Sequence, residues 1–246
     1  MRYFLRISFN GSAFHGWQIQ QNANTVQAEI NRALKVLLKS DTETTGCGRT
    51  DTGVHARKFY LHFDTDALID SVEFLHSLNA ILPPSIAAYS VFSVDTTSHA
   101  RFGATEREYH YHLYFEKDPF KGDRAVYQSR IPDLEAMNKL IPVLMANTDF
   151  SCFSKSSTQT FTNNCVIKSA EWKWIGNEMV FRISADRFLR NMVRAIVGTM
   201  LEAGYGKLSV AGFKEILESK NRSEAGTSVP AHGLYLTDIH YPFPVN

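Results

Sequence analysis

The sequence predicts an α+β fold: a mostly antiparallel mixed sheet with flanking helices. Two observations carry this. Segments whose apolar residues recur at every second position mix with segments of helical period, and they do so without regular strand–helix–strand alternation. No internal repeat and no Pro/Gly/Ser-rich linker divides the 246 residues.

Residues 2–9 set Tyr3, Leu5, Ile7 and Phe9 on one side of a strand that Asn10-Gly11 ends. Residues 25–39 repeat Val26, Ile30, Ala33, Leu34 and Leu37 at helical spacing, with Asn24 or Thr25 as N-cap. A polar loop, TTGCGRTDTGVHA, leads to a strand with Phe59, Leu61 and Phe63. A short helix near 71–80 is stopped by Pro83-Pro84. Strands fit 86–94 and 105–116, the second with Tyr109, Tyr111, Leu113 and Phe115 on one face. A helix fits 133–146, with Pro132 near its start. Strands at 166–175 and 179–185 flank a turn at Gly176-Asn177. The longest helix is expected over 187–203, with Asp186 able to cap it, and a shorter one over 210–219 follows Ser209. Residues 220–233 read as loop and 234–240 as a closing strand.

Composition sets the outer bounds. At 44% hydrophobic and 21% charged, the chain reads as an ordinary globular protein. No apolar run approaches membrane-spanning length, and MRYFLRISFN offers no signal-peptide core. Three cysteines, Cys47, Cys152 and Cys165, make neither a paired framework nor a ligand spacing, which fits a reducing cytosol. The net charge of +1 argues for no partner class, because a nucleic-acid binder of this charge must gather its cations on one face.

Three stretches carry candidate chemistry. The loop GCGRTDTGVHA at 46–56 has three glycines, Arg49 and Asp51 two residues apart, and little to bury. It is either a turn with a surface salt bridge or a loop that aims both side chains at one cleft. It lacks the Lys-Ser/Thr of a phosphate-binding P-loop. On the helix expected over 187–203, Arg187, Arg190 and Arg194 fall at i, i+3 and i+7 and form a basic stripe. Such a stripe is either solvated or answered by phosphates or a carboxylate. HARFGATEREYHYHLYF at 99–115 interleaves basic and aromatic side chains, which suits either a half-buried strand or RNA. His110 and His112 share a strand face, yet no third ligand at a motif spacing accompanies them. Cys47 has no neighbouring pattern for a Cys-His dyad, so it reads as a buried thiol.

Taken in order, FHGWQ at 14–18, TVQAEINRAL at 25–34, GRTDTGVHA at 48–56, HARFGATEREYHY at 99–111, FLRNMVRAIVGTMLEAG at 188–204 and PAHGLYL at 230–236 resemble the signatures of the tRNA pseudouridine synthase A family. They reach across nearly the whole chain. The resemblance implies the pseudouridine synthase fold, with two similar halves around a central cleft. It implies a 1–100 half carrying the aspartate loop and a 101–246 half carrying the basic helix, as one continuous catalytic unit. It implies isomerisation of uridine to pseudouridine at positions 38 to 40 in the tRNA anticodon stem-loop, by a cytoplasmic homodimer that forms a basic cleft without metal or organic cofactor.

Residue by residue, the family's essential aspartate falls on Asp51, and the arginine that displaces the target base falls on Arg49. The tyrosine against the flipped uracil falls on Tyr109, and the arginine that pairs with the carboxylate falls on Arg194. Leu234 and Leu236 are implied as apolar walls of the uracil site; Arg187 and Arg190, from the basic stripe, are the further candidates for binding the RNA substrate. This chain departs from the family's pattern at Thr52, Ser98 and Gly103, none of them a matched catalytic position, and its 116–130 link is compact. Two rival classes stand beside this reading. One is a tRNA-binding protein without activity on the same fold; the other is a metal-dependent RNA hydrolase using His110 and His112.

Overall fold

The computed structural model describes residues 1–155 and 162–245, which form two compact units. The first comprises Met1–Thr105 together with Tyr235–Asn246; the second is Glu106–Leu234.

In the first unit, β1 (Arg2–Phe9) lies between β3 (His55–Asp64) and β4 (Ile86–Val94), antiparallel to both, with Leu5 opposite Leu61 and Val91. A two-residue strand, β2 (Thr45–Gly46), pairs antiparallel with β3, and β9 (Leu234–His240) joins the start of β3 in parallel. The β1–β3 register shifts between Ile7 and Phe9, so the ladder bends where β3 begins. Helix α1 (Val26–Leu38) starts at Thr25, whose hydroxyl accepts from Ala28 N, and buries Val26, Ile30, Ala33 and Leu34. It ends at Lys39, in the left-handed region at φ 55°. Helix α2 (Ser71–Ile81) is capped by Asp70 and yields to extended backbone at Leu82, as the residue before Pro83 must. The other face of the sheet is also covered. Phe4 is fully buried with Tyr241 and Phe243 edge-on to its ring, each 5.6 Å away.

In the second unit, β8 (Glu178–Ala185) is the centre strand, antiparallel to β5 (Glu106–Tyr114) and β7 (Ile167–Ile175). A short strand, β6 (Val126–Tyr127), adds to β5 in parallel. Gly176 turns the β7–β8 hairpin at φ 60°. Helix α5 (Met192–Gly204) is almost wholly buried and forms the core, and Trp172 of β7 donates its indole N–H to Met200 Sδ at 3.3 Å. Helix α6 (Val210–Ser219) follows its Ser209 cap. The mostly antiparallel mixed sheet with flanking helices is therefore the observed architecture.

Two expected helices differ. The span 133–146 is two short helices, α3 (Leu134–Asn138) and α4 (Ile141–Met145). Pro142 has no N–H to donate back to Asn138, and its ring crowds that carbonyl, so one continuous helix is broken there. Helix α5 starts at Met192 and not at 187, because Asn191 sits in the left-handed region at φ 66°. Asp186 consequently does not cap this helix; its Oδ1 accepts from the backbone N–H groups of Val166 and Arg187, both at 2.7 Å. The i, i+3, i+7 stripe dissolves with the missing turns, since only Arg194 is on the helix.

One buried group gives this fold a pH dependence. His62 of β3 is 6% exposed, and its Nδ1 accepts the Ala100 N–H at 3.1 Å. Burial, reinforced by the nearby Arg2 charge, pushes its pKa down to about 4. A folded pKa below the unfolded value means the contribution is intact above pH ~6.5 and is lost as pH falls toward 4. Unfolding free energy should therefore drop by about 1–2 kcal/mol from this group between pH 7 and pH 5. His62→Gln keeps an acceptor for Ala100 and cannot charge, so urea titrations at the two pH values should show a shallower fall. An unchanged slope would assign the effect elsewhere.

Candidate active site

The loop between β2 and β3 is held by its neighbours in the first unit. Cys47 N donates to Tyr60 O at 2.8 Å, Trp17 N to Thr50 O at 3.3 Å, and Gly53 N to Phe14 O at 3.3 Å. Val54 N returns to Asp51 O at 3.1 Å and closes a turn in which Gly53 has φ 80°. This bracing needs two backbones in close approach. A Cβ on Gly11 would lie 2.0 Å from Val54 O, and one on Gly16 would lie 2.4 Å from Thr50 O. Gly16 is also at φ 88°, where a side chain is strained in any case. The FHGWQ and GRTDTGVHA stretches, far apart in sequence, are thus locked together backbone to backbone.

Side chains alternate along this loop. Arg49 is exposed, Thr50 is buried and Asp51 is half-buried. The Thr50 hydroxyl has no hydrogen-bond partner among the described residues. His55 ends the loop: its Nδ1 accepts the Gly11 N–H at 3.0 Å, which places a neutral ring's proton on Nε2. The His55 ring stacks on Tyr235 at 4.5 Å, and the Arg57 guanidinium lies 5.1 Å from the Tyr235 ring centre. Leu236, 2% exposed, sits opposite Ala56 in the parallel β3–β9 pair.

The remaining candidates belong to the second unit. Tyr109 of β5 faces Ile183 across the ladder, half-buried, with its ring edge-on to Phe188 at 5.2 Å. Two residues further along the same strand face, Tyr111 is fully buried and donates its hydroxyl to Pro230 O at 2.9 Å. Burial pushes the Tyr111 phenol far up, so it stays a neutral donor. Arg194, in the first turn of α5, donates Nε–H to Val229 O at 2.7 Å, and Val229 N donates back to Arg194 O at 3.2 Å. The first bond orients a half-buried guanidinium through its Nε–H, and the second ties the helix backbone to the Val229 segment. Arg187 is half-buried and Arg190 exposed, both ahead of the helix, and Leu234 is buried at the start of β9.

Asp51, Arg49 and Leu236 are therefore gathered in one unit, and Tyr109, Arg187, Arg190, Arg194 and Leu234 in the other. His110 and His112 each meet a different carboxylate: His110 Nε2 lies 2.6 Å from Glu108, and His112 Nδ1 lies 2.8 Å from Glu178. Among the described residues no group of three metal-ligating side chains occurs. All three cysteines are buried and unbridged, and burial pushes the Cys152 and Cys165 thiols up to about 12. His55 and Trp17 brace the loop; the sequence reading names neither as a site residue, although both fall in stretches that carry the resemblance, FHGWQ and GRTDTGVHA.

The bracing has a measurable consequence. Gly16→Ala must push Thr50 aside while adopting a positive φ, which should cost about 2–4 kcal/mol of stability. Denaturant unfolding of the variant checks this, and a midpoint equal to that of the parent protein would mean the loop is not clamped by segment 11–17.

Comparison with known proteins places relatives along nearly the whole chain. A family described as tRNA pseudouridine synthase matches residues 145–242. The tRNA pseudouridine synthase A of Parabacteroides distasonis is 48% identical over 248 residues, covering 99% of this chain and 98% of the relative. The Bacteroides thetaiotaomicron protein of the same name is 45% identical, over 98% of this chain and 91% of its own length. The tRNA pseudouridine synthase A of Bacillus subtilis is 39% identical, over 98% and 99% respectively.

Proposed function

Because this chain belongs to the tRNA pseudouridine synthase A family, we propose that it isomerises uridine to pseudouridine at positions 38 to 40 in the anticodon stem-loop of tRNA, with Asp51 as the catalytic carboxylate. The observation that carries the assignment is the loop itself: a carboxylate, half-buried, on a turn clamped through Gly11 and Gly16. Such preorganisation is what a reacting group requires and what a plain surface turn does not.

The chemistry sets the roles. Uridine must lose its N1–C1′ bond, turn, and rejoin through C5. A stacked base hides these atoms, so it must be flipped, at a cost of a few kcal/mol. Arg49, exposed beside Asp51 on the same loop, is suited to fill the space the base leaves. Asp51 serves as nucleophile or base, and the family's carboxylate-pairing arginine falls on Arg194. The staple from Val229 supports this role, because a guanidinium with a fixed plane can present an ordered edge to a carboxylate. Tyr109, steadied edge-on by Phe188, supplies a ring for the uracil and a hydroxyl for proton transfer. Leu234 and Leu236 serve as apolar walls, and Arg187 and Arg190 meet phosphates. The net reaction is neither a redox step nor a hydrolysis, so it needs no cofactor.

With a net charge of +1, tRNA must be held by locally gathered cations, and a cytoplasmic homodimer whose subunits build a basic cleft meets that need. No helix among the described residues is long and apolar enough to cross a membrane.

Asp51→Asn replaces the carboxylate with an amide of nearly the same shape. It should abolish tritium release from C5-labelled uridine in tRNA while tRNA affinity changes by less than about threefold. Multiple turnovers by this variant would sink the assignment. Light scattering of the parent protein should give twice the chain mass, and tRNA affinity should fall steeply with salt. A strict monomer with full activity would contradict the dimeric cleft.

A further inference from the structure

The loop that follows α6 is strapped onto α5 by contacts that the reaction, as described, does not use. Arg222, half-buried, donates Nη1–H to the carbonyls of Ala225 and Gly226, both at 3.2 Å, and Nη2–H to Ser228 Oγ at 2.8 Å. Ser228 Oγ also receives the side-chain N–H of Asn191, the left-handed residue that opens α5. Two glycines make the approach possible. A Cβ on Gly198 would lie 1.9 Å from Thr227 O, and one on Gly226 would lie 2.9 Å from Thr199 Cα. Gly226 N donates to Thr199 Oγ1, which donates in turn to Ala195 O, both at 2.9 Å. The next residue of the strap is Val229, whose carbonyl takes the Arg194 Nε–H.

We propose that Arg222 and Ser228 are positioning residues for Arg194: they lock the 225–230 strap on α5 so that the Val229 carbonyl holds the Arg194 guanidinium in one plane. The inference rests on the reading that Arg194 serves the chemical step. A guanidinium suits the Arg222 position because its planar fork sets Nη1 and Nη2 apart in fixed directions, toward the two carbonyls and the Ser228 hydroxyl respectively, whereas an ammonium's three donors diverge from a single nitrogen. Asn191 contributes from the other side. Its side chain leaves the α5 N-terminus uncapped and goes to Ser228 instead, so the helix start and the strap move as one piece. With the strap loosened, Val229 O drifts, and Arg194 gains rotamers in which its guanidinium no longer keeps that plane.

The test is a set of single-turnover rates at saturating tRNA for Arg222→Gln, Arg222→Lys, Ser228→Ala and Ser228→Thr, each repeated with Arg194→Lys. Arg194→Lys keeps a cation but has no Nε–H for Val229. Arg222→Gln and Ser228→Ala should slow the step by about 10- to 100-fold with tRNA affinity within about threefold. Arg222→Lys should not rescue, whereas Ser228→Thr, which keeps the hydroxyl, should. In the Arg194→Lys background the same substitutions should cost less than about twofold more, because the group they position is gone. Losses that multiply in full on Arg194→Lys would show a general structural role and overturn the proposal, as would parental rates in Arg222→Gln and Ser228→Ala. Should Arg222→Gln fail to fold, the Ser228 pair decides alone. Arg194→Ala, measured beside them, tests the reading of Arg194 itself: a parental rate would overturn that reading, and the positioning role with it.

Discussion

The structure of the aspartate loop depends on one constraint: two stretches of backbone must come within van der Waals contact with no side chain between them. At Gly11 and Gly16 the space a Cβ would take is already filled by the carbonyls of Val54 and Thr50. That contact lets Trp17 N and Gly53 N reach across the gap, and it lets the Gly11 N–H find His55. A loop so held loses little further entropy when it meets a substrate, since its freedom was removed on folding. The same device recurs on α5, where Gly198 and Gly226 bring the strap against the helix. Candidate residues in both units are therefore set by backbone proximity first and by side-chain bonds second.

Much of the fold is legible in the sequence, for identifiable reasons. β1, α1 and α2 carry strong periodicity and clear ends: Asn10 after the strand, a cap at Asn24 or Thr25 that the structure assigns to Thr25, and Pro83 after α2. These are local signals, and local physics suffices for them. Periodicity overextends helix α5 because its apolar pattern continues back through Phe188 and Leu189, while the break comes from Asn191, whose left-handed conformation is sustained by a bond to Ser228 some 37 residues away. Nothing near position 191 announces that partner. The break at Pro142 is, by contrast, readable, and the apolar periodicity of Leu140, Ile141 and Leu144 masks it.

The site is legible in kind rather than in geometry. The motifs carry Asp51, Arg49, Tyr109 and Arg194 as candidates, but the sequence does not show that Arg194 is stapled through Val229 or that Tyr109 leans on Phe188. The supposed arginine stripe illustrates the limit. Spacing alone turns three arginines into one helical face, whereas Arg187 and Arg190 sit on irregular backbone, and only Arg194 is committed to the helix. For a chain of net charge +1, that difference separates a cation carried by the core helix from two carried by the segment ahead of it.

The first unit is assembled from the two extremes of the chain. Residues 235–240 supply the parallel partner of β3, and Tyr241 and Phe243 cover Phe4, yet the ribosome makes 129 residues of the second unit, Glu106–Leu234, before any of them exists. During translation the start of β3 waits without its parallel neighbour and the ring of Phe4 without its lid. The second unit, contiguous in sequence, can complete its own hairpins and core helix in that interval. In the nascent protein the clamps on the aspartate loop, all within residues 11–60, can close early, whereas the first unit is completed only after the second has been made.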